Sequence, residues 1–293
     1  MFYLFIFCQA LFDLMKAIDQ LLSTVKDLPA TPQILPKLLE VLQNEDSDIE
    51  QAGDLISFEP ALTARLLRYC NSAAFAGAEP VASVSEAIAR MGFHSIYLLV
   101  TTACVSTAFT LPAGSGLDAG QLWKHGLLAA FGAKFVAEAT GRDSDMLFTA
   151  GLLHDIGRVV LAKTKGAEYG RLLARAEFEQ VSASTLETSA YGFSHAEVSA
   201  SLMQNWRFPT RLSKSARYHH LPGEAGDEQI DAACVCIGNV LAHTLDYPQT
   251  NHFISTTELN KAMGLLSLTS QDMTDYVERM KQNWDLVNSL LQN

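Results

Sequence analysis

Apolar residues recur at spacings of three and four along almost the whole chain, the period of one buried face of an α-helix. Ile34, Leu38, Leu39, Val41 and Leu42 form one such stripe, and Leu55 and Ile56 followed by Leu62, Leu66 and Leu67 form another. In the tail the pattern runs through Met273, Tyr276, Val277, Met280, Trp284, Val287 and Leu291. No long alternation of apolar and polar positions marks a strand. Leu98 to Val105 is short and rich in threonine, so a buried helix and a buried strand both fit it. The expectation is an all-α protein.

Interruptions of this pattern mark the organisation. Leu111-Pro112-Ala113-Gly114-Ser115-Gly116 is dense in residues that stop helices and suit turns, and Leu221 to Glu228, with Pro222, Gly223 and Gly226, is a second break. Four units follow: an N-terminal amphipathic helix over 1–24, a helical half over 25–111, a second helical half over 117–250 and a helical hairpin over 255–293. The first carries its apolar face on Leu14, Met15, Ile18, Leu21 and Leu22. In the hairpin, Thr256 or Thr257 is expected to cap the first helix and Thr269 or Ser270 the second, for packing or homodimer formation.

Composition narrows the function classes. With 293 residues, 48% of them hydrophobic and 18% charged, the chain can bury a substantial core. Its net charge of −11, without clustered Lys and Arg, excludes a broad nucleic-acid footprint. Cys8, Cys70, Cys104, Cys234 and Cys236 are odd in number and lack CxxC spacing, so they read as reduced core residues of a cytoplasmic protein. The apolar start, Met1 to Phe12, lacks a basic flank and meets Asp13 and Lys16 well short of a membrane span, which implies no membrane insertion. No P-loop, GxGxxG or GxSxG is present, and the acids Glu45, Asp46, Asp48 and Glu50 read as a solvated interhelical loop.

The chemistry lies in Gly151-Leu152-Leu153-His154-Asp155-Ile156-Gly157-Arg158, an adjacent His–Asp pair inside an apolar run. Burying both side chains requires a partner, either a metal such as Zn, Fe or Mn or internal hydrogen bonds. His125 lies 29 residues before His154, His195 lies 41 after it, and His219-His220 follow. The last two precede the second break, so they should end a helix, where the carbonyl dipoles would raise their pKa unless a metal competes. His94, His243 and His252 fall outside this series and read as surface or interhelical polar residues.

The ordered series H…HD…H…HH in helical sequence resembles the HD superfamily of metal-dependent phosphohydrolases, especially its HD-GYP branch. Leu28-Pro29-Ala30-Thr31-Pro32, Ile56 to Leu67, Asn71-Ser72-Ala73 and Glu86 to Gly92 are similar to the N-terminal half of the HDOD domain, the HD-related bacterial output module regarded as non-enzymatic. Tyr191 to Val198 with Trp206 and Pro209 is similar to its later signature, and the resemblance spans roughly residues 25 to 245. It implies a multi-helix bundle of the HD/HDOD type, with 25–111 as the N-terminal HDOD half and 117–250 as the HD-like half.

The departures from an active hydrolase matter as much. The resemblance places Asn239 where the HD pattern ends in a ligating Asp, and an amide binds a divalent cation less well than a carboxylate and cannot act as a base. Arg158 stands where HD-GYP enzymes carry a Lys, and no GYP-type motif is present. The ligands that remain, His125, His154, Asp155, His195, His219 and His220, imply at most one iron, manganese or zinc ion. Two functions follow: a signalling module acting through protein partners, or a phosphohydrolase in which Arg158 steadies a substrate phosphate. The missing carboxylate and the HDOD-like half favour the first. Partner recognition would then sit around Glu59-Pro60 and Asn71 to Phe75, with Pro60 opening a helix and Phe75 either an exposed anchor or core.

Overall fold

The structure, a computed structural model, describes residues 14–24, 34–43, 49–57, 60–71, 80–106, 111–245 and 255–282. Among these residues every regular element is a helix. The N-terminal part comprises α1 (14–24), α2 (Ile34–Gln43), α3 (Ile49–Ser57), α4 (Pro60–Cys70), α5 (Val84–Met91) and α6 (Phe93–Ser106). Then come α7 (Ala119–Ala139), α8 (Ser144–Leu153), α9 (Ile156–Lys165), α10 (Ala167–Glu179), α11 (Ala183–Tyr191), α12 (His195–Asn205), α13 (Thr210–Arg217) and α14 (Gln229–Leu245). A closing hairpin consists of α15 (Thr256–Leu265) and α16 (Ser270–Gln282).

The buried stripes follow the apolar period. Ile18 and Leu22 of α1, Leu35, Leu38 and Leu39 of α2 and Leu62 and Leu66 of α4 are all buried and belong to one core with the later helices. Leu98 to Val105 lies within a helix, α6, which starts directly after Gly92 closes α5 at a φ of 80°. Glycine supplies that left-handed conformation without strain. From α6, buried Tyr97 reaches α8 through its hydroxyl, 2.7 Å from Thr149 Oγ1.

The centre is α7, which packs between α8 and α14 with backbones in near contact. A Cβ on Gly132 would come within 2.9 Å of Gly238 Cα, one on Gly238 within 2.5 Å of Ala129 O, and one on Gly151 within 2.9 Å of the same oxygen. Only glycine fits such approaches. The first sequence break is a turn pressed on α10, where a Cβ on Gly116 would lie 2.7 Å from Gly170 Cα. The second forms two short 3-10 turns, Pro222–Glu224 and Gly226–Glu228.

One of the two expected caps in the closing hairpin differs from the sequence reading and the other agrees with it. The N-cap of α15 is Ser255, so Thr256 and Thr257 lie inside the first turn instead of capping it. At α16 it is Thr269 that caps, with its N–H and hydroxyl donating to Asp272 at 2.7 and 2.6 Å and the Asp272 N–H donating back to its Oγ1 at 3.3 Å. Met1 to Phe12, Glu59, Phe75, His252, Trp284, Val287 and Leu291 lie outside the described residues, as do Cys8 and the side chains of Pro60 and Cys104.

Asp231 of α14 ties three elements together. It is fully buried and accepts from Arg142, in the α7–α8 connection, at 2.7 Å and from Arg211 of α13. Burial works against its charge, but the two guanidiniums hold its pKa below the ordinary carboxylate value. Asp231→Asn should cost about 2 kcal/mol, less than the roughly 3–5 kcal/mol of a fully buried pair because both arginines are partly in water. Because the folded pKa is depressed, this contribution is present above the unfolded-state carboxylate pKa of about 4 and fades as pH falls through the lower folded value. Urea unfolding of both proteins at pH 7 and pH 3 should show the gap shrinking on acidification; a gap that is constant with pH would refute the account.

Candidate metal centre

The break between α8 and α9 explains the polar pair in an apolar run. His154 ends α8 as its C-cap, and Asp155 precedes α9 with φ −103° and ψ 7°, so both side chains turn inward where the helix axis changes. His195 opens α12, set there by a capping box in which Ser194 is the N-cap and its N–H donates to Glu197 at 2.9 Å. His219 and His220 follow the end of α13, His125 projects from α7 and Asn239 from α14. Gly157 lets α9 meet α12: a Cβ there would overlap the His195 carbonyl oxygen, and its N–H donates to Ser199 Oγ at 2.8 Å.

All six residues predicted as ligands converge. Ligand atoms of His125, His154 and Asp155 lie within 4.8 Å of one another, and so do those of His195, His219 and His220. Asp155 Oδ1 is the focus, with His195 Nε2 at 3.1 Å, His154 Nε2 at 3.6 Å and His219 Nε2 at 3.8 Å. His154 Nδ1 and His219 Nδ1 each lie 2.6 Å from a backbone carbonyl, of Gly151 and Ala216. A carbonyl only accepts, so both Nδ1 atoms carry the proton and both Nε2 atoms face inward as lone pairs. These two buried Nε2 atoms have no hydrogen-bond partner among the described residues. Orphaned imidazole acceptors around a carboxylate oxygen are a donor set that suits a divalent transition metal.

The electrostatics agree with that donor set at four of its histidines. Burial pushes the pKa of His154 down, those of His125 and His219 far down and that of His220 to about 3. This corrects the expectation that the end of α13 would raise His219 and His220, because loss of water outweighs the partial charge of the last carbonyls. His195 goes the other way: against burial, Glu187 and Asp155 lift it to about 9. Burial also opposes the charge on Asp155, which His154, His195 and Arg158 nonetheless hold well below its usual range.

Arg158 and Asn239 sit close by but not as open ligands. Arg158 is 3% exposed and lies against the carboxylate, with Nη1 3.4 Å from Asp155 Oδ2. Asn239 Oδ1 lies 2.9 Å from His125 Nε2, so the amide engages the first histidine. A cavity of about 190 Å³, lined by His219, His220, Asn239, Ser182 and Thr185 and rimmed by Glu258 of α15, opens onto this side.

Several neighbours carried no sequence signal. Glu187 of α11, fully buried, accepts from His195 Nδ1 at 2.6 Å, from the His195 backbone N–H at 2.7 Å and from the Tyr169 hydroxyl at 2.6 Å. Its local sequence, Thr185-Leu186-Glu187-Thr188, looks like any helix surface. His243 stacks on His125 with ring centroids 4.4 Å apart, an interhelical position, whereas His94 is at the surface beside Asp145. The Ser194-His195-Ala196-Glu197 capping box was the one local cue to where His195 would sit.

Fold and site together define a helical protein of the HD type, and residues 28–222 match the HDOD domain. The chain belongs to the HDOD domain family. An uncharacterized protein of Treponema pallidum (strain Nichols) is 26% identical over 239 residues, covering 79% of this chain and 45% of that protein, so the chain spans less than half of this relative's length. A Shewanella amazonensis SB2B protein named as a candidate phosphohydrolase is similar in structure, with TM-score 0.71 and 25% identity over 93% of this chain and 97% of that one. A Geobacter sulfurreducens HDOD domain protein of unknown function matches with TM-score 0.78 and 22% identity over 95% and 97%. No helix among the described residues is long and apolar enough to cross a membrane.

The Gly157 approach makes a specific forecast. Gly157→Ala forces backbone apart between α9 and α12, and the variant should lose at least about 3 kcal/mol, the upper end of overpacking costs, because no flexible side chain can yield. Denaturant unfolding measures it. A midpoint equal to that of the wild type would mean that α9 and α12 do not need this contact.

Proposed function

We propose that this chain is a cytoplasmic signalling module that works through protein partners and holds at most one tightly bound transition metal, without phosphohydrolase turnover. The half over 25–111 would carry recognition, and the half over 117–250 the metal, iron, manganese or zinc, on Asp155, His154, His195 and His219. Bound there, the ion would supply Lewis acidity and positive charge in the core. The observation that carries the reading is the 2.9 Å contact between Asn239 and His125. At the position where a carboxylate would close a metal site stands a neutral amide, and its bond occupies Nε2 of the first histidine. Arg158 supports the same stoichiometry, since a guanidinium at Oδ2 leaves Asp155 one oxygen for a metal.

Cys70, Cys234 and Cys236 are free and buried, which suits a reducing compartment. A phosphohydrolase is the second reading, supported by the cavity beside His219 and His220 and by the likeness to the Shewanella protein. In that case the cavity would admit a phosphoester, but Arg158 is buried against Asp155 and does not line it.

Metal analysis of protein prepared without chelator should find no more than one equivalent of transition metal, lost in His154→Ala. Two equivalents, or a metal that survives that substitution, would show the ligand assignment to be wrong. In a panel of phosphomonoesters, cyclic dinucleotides and guanosine polyphosphates with Mn, Fe, Mg or Zn, the wild type should turn over no faster than His154→Ala/Asp155→Ala. Metal-dependent hydrolysis abolished in the double variant would establish the enzyme instead.

A further inference from the structure

The fully buried carboxylate of Glu187 hydrogen-bonds one predicted ligand among the described residues, His195, and meets it twice. One oxygen, Oε2, accepts from both the backbone N–H and the ring Nδ1 of His195, at 2.7 and 2.6 Å. The other, Oε1, accepts from the hydroxyl of Tyr169, itself fully buried on α10, at 2.6 Å. A carboxylate so held fixes the ring in two respects. It keeps the proton on Nδ1, and it sets the rotation of the imidazole so that Nε2 points at Asp155 Oδ1, 3.1 Å away. The backbone contact anchors the same oxygen to the first turn of α12, so the carboxylate that holds the ring is itself fixed to the main chain of the residue it orients.

We infer that Glu187 is the positioning residue of the metal centre, with Tyr169 as its brace. The inference rests on the proposed metal site but concerns a residue outside its ligand set. Of the three histidines proposed as ligands, His154 and His219 are oriented by backbone carbonyls, which no side-chain substitution removes, whereas His195 is oriented by a side chain. Carboxylate partners of ligating histidines orient the ring and raise its basicity, and their loss typically weakens metal binding about 10- to 100-fold.

The experiment titrates wild type, Glu187→Gln, Glu187→Ala and Tyr169→Phe with Co²⁺, reading the d–d absorption bands for affinity and coordination geometry, and determines metal-free crystal structures of the same proteins. Glu187→Ala should bind Co²⁺ on the order of 10- to 100-fold more weakly, with altered band positions, and its His195 ring should turn away from Asp155. Glu187→Gln, which keeps the acceptor and the shape, should fall between it and the wild type, and Tyr169→Phe should show the smallest loss. Should Glu187→Ala not fold, Glu187→Gln and Tyr169→Phe decide by the same readouts. Equal affinity and identical bands in wild type and variants would overturn the assignment. Should wild type bind no Co²⁺, the metal reading fails, and the ring position decides this inference independently: a displaced His195 ring upholds Glu187, and an unmoved ring overturns it.

Discussion

The carboxylate of Asp155 lies where water scarcely reaches it, and an isolated buried carboxylate costs several kcal/mol that only close, well-oriented partners offset. Arg158 approaches one oxygen, while His195, His154 and His219 surround the other. Glu187 adds a second buried anion, held down to about 2 by His195 and Arg158 against the effect of burial. Two anions, Asp155 and Glu187, thus face two cations, Arg158 and His195. A metal bound through His195 Nε2 would take the place of the second proton of that ring.

That arrangement exists only because backbones come unusually close. His125, His154 and Asn239 belong to three helices whose axes approach through Gly132, Gly151 and Gly238, and Asp155 reaches His195 because Gly157 leaves room for the α12 backbone. Glycine in a helix interior costs roughly 1 kcal/mol relative to alanine, so four such positions are a local weakness that only tertiary packing repays. The core and the site are therefore one construction: loosening α7 against α14 would also part His125 from Asn239.

Asn239 separates the two functional readings physically. A carboxylate there would add a third negative charge and another hard ligand beside His125, whereas the amide adds neither and uses its oxygen in a hydrogen bond. The likeness to a protein named as a candidate phosphohydrolase and the likeness to an HDOD domain protein of unknown function describe one fold, and the same fold can host both uses. In this chain the side chains that bear on the choice are Asn239, bonded to His125, and the buried Arg158 against Asp155.

The helical class, the two main breaks and the convergence-ready series His125, His154, Asp155, His195, His219 and His220 were legible in the sequence, because apolar period and turn chemistry are local properties and the spacing of rare polar residues in apolar runs is visible directly. Asn239 was singled out only through resemblance to a known family, and its contact with His125 exists only once α7 meets α14. Leu98 to Val105 was ambiguous because a short buried run carries no period of its own; its place in a longer helix after Gly92 decided it. Glu187, Tyr169 and Gly157 were silent, since a glutamate or tyrosine on a polar helix face and a glycine after His–Asp look ordinary until α9, α11 and α12 meet. The protonation of His219 and His220 was likewise settled by tertiary burial. A helix end seen alone favours the cation, but exclusion of water, which only packing creates, favours the neutral ring that a metal requires.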